Sequence, residues 1–188
     1  MTELVVKPLT RSRWDDLVVL FGDRGAYSGC WCMWFRVTSK QFSDNGNRGN
    51  RRALTTLVER GRRPGLLGYL DGSPVGWVSV APRHEFGRIE RSPVLARVDD
   101  EDVWSIVCFY IDRRHRRNGV ASELLRAAIA YATGKGARTI EGYPIDASKR
   151  KSIASAELFV GTSEMFARAG FREVARRSPT RPIMRYRA

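Results

Sequence analysis

Between Trp104 and Lys135 the apolar pattern changes period, and that change limits the chain to folds with a buried strand feeding a helix. Trp104–Ile111 is almost continuously apolar, as expected of a central strand covered on both faces. Ala121, Leu124, Leu125, Ala128, Ile129 and Ala132 then follow helical spacing and form one stripe of an amphipathic helix. The turn between them, Arg113-Arg114-His115-Arg116-Arg117-Asn118-Gly119, carries four arginines and a glycine at the helix entrance. The first turn of a helix leaves backbone N–H groups unpaired, and the macrodipole adds partial positive charge there. Glycine lets an anion approach the backbone, and guanidiniums supply charge and paired donors. A phosphate site and a merely solvated basic turn both fit this physics.

Arg116-Arg117-Asn118-Gly119-Val120-Ala121 also fits the pattern R/Q-x-x-G-x-G/A. This is the pyrophosphate-binding motif of the GNAT-type N-acetyltransferase superfamily, which the chain resembles. The motif lies where that family has it, after an apolar strand and opening an amphipathic helix.

The order of the remaining segments agrees. Glu3–Leu9 reads as a short strand, and Ser12 as the cap of a helix whose buried stripe is Trp14, Leu17, Val18 and Phe21. Tyr27–Arg36 is dense in aromatics and sulfur and reads as core packing or as one wall of an acceptor pocket. Polar Thr38–Asn50 reads as a connection, followed by a helix running to about Arg60. Leu66–Leu70 and Val75–Val80 are strands joined by Asp71-Gly72, a strong hairpin signal. Arg83–Asp102 is a long loop ending in an acidic cluster. Arg138–Tyr143 follows the long helix as a parallel strand. Asp146–Ser155 reads as a loop, Gly161–Ala169 as a short helix, and Phe171–Val174 and Ile183–Tyr186 as closing strands.

The 188 residues are expected to form a single domain, 1–188, with enough apolar content, 43%, to fill a core. The resemblance implies its class: α/β, with a GNAT-like mixed, centrally splayed β-sheet flanked by helices. No apolar run approaches 18 residues, so no membrane span is expected. The N-terminal MTELVVKPLT lacks the features of a signal peptide, which points to the cytoplasm. Three cysteines argue against a disulfide framework, and Cys30-x-Cys32 has no second pair to complete a metal site, so no metal is expected. The net charge of +13 fits a phosphate-bearing partner, but nucleic acid is an unlikely one: the arginines are spread along the chain and form no basic tail.

The resemblance further implies acetyl-CoA as cosubstrate and transfer of its acetyl group to a primary amine by direct attack on the thioester. Phe109, Tyr110 and Ile111 would line the pantetheine arm, with the acetyl carbonyl near the amides at Phe109–Tyr110. The amides of Arg116, Arg117, Asn118, Gly119, Val120 and Ala121 would cradle the pyrophosphate. A small amine-bearing molecule is the preferred acceptor. A protein N-terminus or lysine, or a non-catalytic acyl-CoA-binding regulatory module, are the alternatives. Many relatives are dimers, and a homodimer is carried over on that ground alone.

For the general base the sequence offers Glu141, which shares a strand face with Thr139 and Tyr143. An ion pair with an arginine is the competing role for it, and His84, Glu85 and the acidic cluster are competing bases. The family's usual acid is a tyrosine four residues before the glycine of the last helix, and here that position is Phe166. Ser163 and Tyr143 are the candidate substitutes. Cys108 suggests an acetyl-cysteine intermediate, but it lies in an apolar strand without a paired histidine, which favours packing.

Overall fold

The computed structural model describes residues 3–188. Met1 and Thr2, the start of the segment read as lacking a signal peptide, lie outside the described residues. Seven strands form one sheet in the order β1-β2-β3-β4-β5-β7-β6. They are β1 (Val5–Pro8), β2 (Gly65–Leu70), β3 (Ser73–Pro82), β4 (Trp104–Ile111), β5 (Thr139–Gly142), β6 (Arg172–Arg176) and β7 (Pro182–Arg187). Every neighbouring pair is antiparallel except β4–β5.

The helices are α1 (Trp14–Phe21), α2 (Ser39–Glu59), α3 (Gly87–Glu90), α4 (Val120–Gly134) and α5 (Ser163–Arg168). The stripe of α4 packs on one face of the sheet with Val78, Ile106, Phe109 and Phe166. α1 and α2 cover the other face through Leu17, Phe21, Leu54 and Val58, which meet Trp31 and Trp77. Among the described residues, no helix is long and apolar enough to cross a membrane.

The sheet is splayed at its centre. β4 pairs with β5 only from Trp104 to Ile106, against Ile140 to Gly142, and then continues alone to Ile111. Two sequence features stop the pairing. β5 is short and runs into Pro144, which has no N–H for a ladder. In β4, the pairing with β3 passes from Ser79–Cys108 to Val80–Ile106, leaving Val107 as the extra residue of a bulge. The bulge sends Val107 and Cys108 to the same face of the sheet.

α4 is seated on the sheet through a pair of glycines. Gly68 and Gly76 face each other across β2 and β3, and added methyl groups at either would meet the Leu124 side chain, at 3.1 Å and 2.8 Å. Leu124 therefore occupies a groove that only glycines leave open.

Several sequence expectations need correction. Thr38–Asn50 is largely helical: Thr38 and Gln41 form a reciprocal capping box at the start of α2, and Gly46 (φ 54°, ψ −163°) leaves helical geometry, so α2 is two helical segments joined at a kink. Ser12 does not cap α1, because a 3-10 turn, Arg11–Arg13, precedes that helix and Arg13 holds the cap position without a side-chain bond. The start of the segment read as the loop Asp146–Ser155 is fixed: Asp146 is buried and pairs with Arg176 at 2.9 Å. Thr162 caps α5, its hydroxyl accepting from the Met165 N–H at 3.2 Å.

Gly76→Ala is expected to lower the unfolding free energy by about 1–3 kcal/mol through overpacking against Leu124. Denaturant unfolding of the two proteins checks this, and an unchanged midpoint would show that Leu124 can move aside freely.

Candidate active site

The splay opens a cleft of about 880 Å³. Its floor is the free part of β4, and its mouth is the arginine-rich turn and the start of α4. Alternation in the antiparallel β3–β4 ladder fixes which backbone groups of β4 face it. The Asp112 N–H donates to Val75 O at 2.9 Å, so Asp112, Tyr110 and Cys108 turn their backbone groups toward β3. Phe109 and Ile111 then turn theirs to the open edge. The Ile111 carbonyl accepts from Arg116 Nε at 3.0 Å, consistent with that direction. Phe109 N–H and C=O are thus sheet-edge groups without a neighbouring strand.

The turn is shaped for an anion. Arg117 (φ 64°) and Gly119 (φ 79°) are both left-handed, and a Cβ added at Gly119 would meet nothing within 4 Å. Among the described residues, none of the amides of Arg116 to Ala121 donates to a protein acceptor. Asp112 pins the start of the turn by accepting from the Arg114 N–H at 2.8 Å and from its guanidinium. Arg114 hydrogen-bonding holds the Asp112 carboxyl below its ordinary range. Arg113, Arg116 and Arg117 form no salt bridge among the described residues, in contrast to Arg114.

The residues expected to bind a cofactor come together. Phe109, Tyr110, Ile111, Arg116, Arg117, Gly119, Val120 and Ala121 all line the cleft, while Asn118 sits in the turn without lining it. The two residues expected to be catalytic do not join them. Ser163 opens α5, its N–H bonded to Ile145 O at 2.9 Å, and does not line the cleft. Glu141 is 1% exposed and also outside the cleft lining. Its Oε2 accepts from Arg83 Nη1 at 2.9 Å and from Tyr143 OH at 2.7 Å, and its Oε1 accepts from Arg185 Nε at 2.8 Å. Both oxygens are occupied by buried donors, so Glu141 has the surroundings of a structural ion pair and lacks those of a proton acceptor for substrate. Tyr143 belongs to the same network; burial, and then Glu141, push its hydroxyl well above the ordinary tyrosine range, which makes it a poor acid. Phe166 is fully buried against Phe109, Phe171 and the backbone of Gly142.

Sequence reasoning missed two sets of residues. Arg83 and Arg185 are remote from Glu141 in the chain, and nothing local marks them as its partners. Leu158 and Phe159, which also line the cleft, come from a 3-10 turn (Ser155–Val160) that the sequence did not mark, whereas Tyr27 belongs to the segment already read as a possible pocket wall. Among the described residues, no group of three or more His, Cys, Asp or Glu side chains is arranged to hold a metal ion.

The family model described as Acetyltransferase (GNAT) family matches residues 31–157. The chain belongs to the GNAT acetyltransferase family. The protein is thus an acyltransferase by family, with the family's splayed seven-stranded sheet. A GNAT-family acetyltransferase from Streptococcus agalactiae superposes with a TM-score of 0.58 at 11% identity, covering 100% of this chain and 98% of that one. The PaiA N-acetyltransferase from Thermoplasma acidophilum, solved in complex with coenzyme A, gives 0.54 at 12% identity and 99% coverage of both chains. An N-acetyltransferase from Staphylococcus aureus gives 0.53 at 14% identity, covering 100% and 98%. At these identities the likeness is one of fold. Comparison of the sequence with curated proteins finds no significant match.

Glu141→Gln is expected to destabilise the GNAT protein by about 3–5 kcal/mol, because two buried guanidiniums lose their counter-charge. Chemical denaturation measures this; a variant of unchanged stability but abolished turnover would instead make Glu141 a catalytic group.

Proposed function

We propose that residues 1–188 act as one domain that transfers the acetyl group of acetyl-CoA to the primary amine of a small molecule. The observation that carries this reading is the continuity of the unpaired edge of β4 with the free amides at residues 116–121. An extended amide-bearing chain ending in a pyrophosphate complements both: it can pair with Phe109 and Ile111 as an added strand does, while its phosphates meet the N-terminus of α4. Arg113 and Arg117 supply charge beside them. The coenzyme A in the Thermoplasma acidophilum PaiA complex supports the same choice of cosubstrate.

In this reading the Phe109 N–H, on the open edge, donates to the thioester oxygen as negative charge develops there. The amine nitrogen attacks the thioester carbon, the carbonyl re-forms, and the carbon–sulfur bond breaks. A thiol has a pKa of about 8.5, so coenzyme A can depart as thiolate without an enzymic acid. That removes the need for a hydroxyl at Phe166. Among the described residues no carboxylate lines the cleft, and its one histidine, His115, sits in the arginine-rich turn at the mouth, so in this reading the acceptor gives up its proton to water before attack. The cleft is bounded by Ala26 and Tyr27 and, from a separate element, by Leu158 and Phe159, which favours a small acceptor over a peptide lying across the sheet.

Calorimetric titration with acetyl-CoA, followed by thiol release against a panel of amines, tests the assignment. Arg116→Glu and Gly119→Glu are each expected to weaken acetyl-CoA binding by about tenfold or more, by placing negative charge at the cradle. Unchanged affinity in both would remove the site from this turn. Without an enzymic base, kcat/KM for an alkylamine is expected to rise about tenfold per pH unit from 6 to 8, following the neutral fraction of the acceptor. A plateau beginning below pH 7 would reveal an enzymic base.

A further inference from the structure

We propose that Cys32 is an oxidative modification site, reacting with hydroperoxides and then closing a disulfide with Cys108. Cys30, Cys32 and Cys108 are all free thiols. Cys32 and Cys108 pack together on the α1–α2 face of β4, where the bulge directs the Cys108 side chain, and Cys30 is two residues from Cys32 in the same loop.

The geometry around Cys32 is that of a stabilised sulfur anion. Trp77 Nε1 donates to its Sγ at 3.2 Å, and Cys108 packs in the same cluster of side chains, its own thiol 3.9 Å from Phe109 O. The Arg36 guanidinium is nearby, its side chain only 4% exposed; it shares its charge with Glu85 at 3.0 Å, and its Nε finds no partner among the described residues. The loop holding Cys32 is itself strained. Ala26 (φ 71°), Ser28 (φ 48°), Trp31 (φ 43°) and Cys32 (φ 55°) are all left-handed without being glycine. Such conformations cost about 1–3 kcal/mol each and persist only where the surroundings enforce them. Here Asn47 accepts from Trp31 Nε1 at 2.5 Å, and Asn50 Nδ2 donates to Gly29 O at 3.0 Å.

The proton distribution agrees with the geometry. The hydrogen bond from Cys108 outweighs burial and, with Trp77 and Arg36, brings the Cys32 thiol down to about 7. Burial and the charge on Cys32 push Cys30 up to about 11, and the bond to Cys32 raises Cys108 as well. Cys32 is thus the most readily ionised of the three thiols. Cys32 is buried, while Cys30 and Cys108 are mostly buried with a small exposed part, so a small peroxide reaches the cluster beside them.

In the reaction, the Cys32 sulfur attacks one oxygen of the peroxide. The O–O bond breaks, the departing oxygen takes a proton to leave as water or an alcohol, and Cys32 becomes a sulfenic acid. The Cys108 sulfur then attacks the Cys32 sulfur, the S–O bond breaks, and water leaves with the Cys108 proton. Two thiols are oxidised by two electrons and one peroxide is reduced. The product ties the loop to β4 one residue from Phe109. Any effect of that tie on acetyl transfer rests on the function proposed above, whereas the oxidation itself does not.

The test is intact-protein and peptide mass spectrometry after treatment of the full chain with stoichiometric hydrogen peroxide. The wild type is expected to become about 2 Da lighter and to yield a peptide linking Cys32 to Cys108. Cys30→Ser is expected to behave the same, and Cys108→Ser to leave a dimedone-trappable sulfenic acid at Cys32. Cys32→Ser is expected to lose the link while remaining folded by circular dichroism. A wild type that keeps its mass, a link that survives Cys32→Ser, or a link from Cys30 that disappears in Cys30→Ser would each overturn the proposal.

Discussion

Five residues of β4, from Val107 to Ile111, have a strand on one side only, and the cleft exists because of that. The other interior strands, β2, β3, β5 and β7, have a neighbour on each side, as burial of their peptide groups demands. Here the demand is met by letting the two halves diverge, so that the edge borders an open cleft. The bulge at Val107 and the proline after β5 are what end the pairing. What the splay exposes are peptide groups in regular alternation, and their chemistry does not depend on the side chains that follow them.

A splayed sheet needs something to hold its halves at a fixed angle. Glu141 on β5 lies between Arg83, which follows β3, and Arg185 on β7, and Arg83 reaches on to Glu90 at 2.7 Å. Arg185 in turn engages Asp99 at 2.8 Å. The network ties β5, β7 and the long segment after β3 into one unit beside the closed end of the splay. Replacing a buried ion pair with apolar residues is often neutral or stabilising, so its value here lies in directed contacts between distant segments.

Much of this was readable from the chain. The period change at Trp104–Lys135, the glycine-led turn and the Asp71-Gly72 hairpin are local signals, and each specifies its own geometry. The misreading of Thr38–Asn50 has a physical cause: glycines and asparagines lower helix propensity and Gly46 does interrupt the helix, but a capping box starts the segment before it and the docking of Leu54 and Val58 anchors the segment after it. Glu141 was correctly seen as polar within a buried strand. Its partners are 58 and 44 residues away in the chain, and alternation along one strand says nothing about such distances. The meeting of Cys108 with Cys30 and Cys32 was hidden for the same reason, since only the register of β4 and the path of the loop after α1 bring them together.

The seat of Leu124 between Gly68 and Gly76 has a consequence beyond packing. Leu124 lies about one helical turn from the N-terminus of α4, some 6 Å along its axis. The helix is stiff over that distance, so the glycine pair acts as the bearing on which the unpaired amides at residues 116–121 are aligned with β4. The precision of a site at the molecular surface is then set by the absence of two methyl groups in the core. Sequence drift among surface arginines would change how strongly a phosphate is held, while drift at the two glycines would change where it is held.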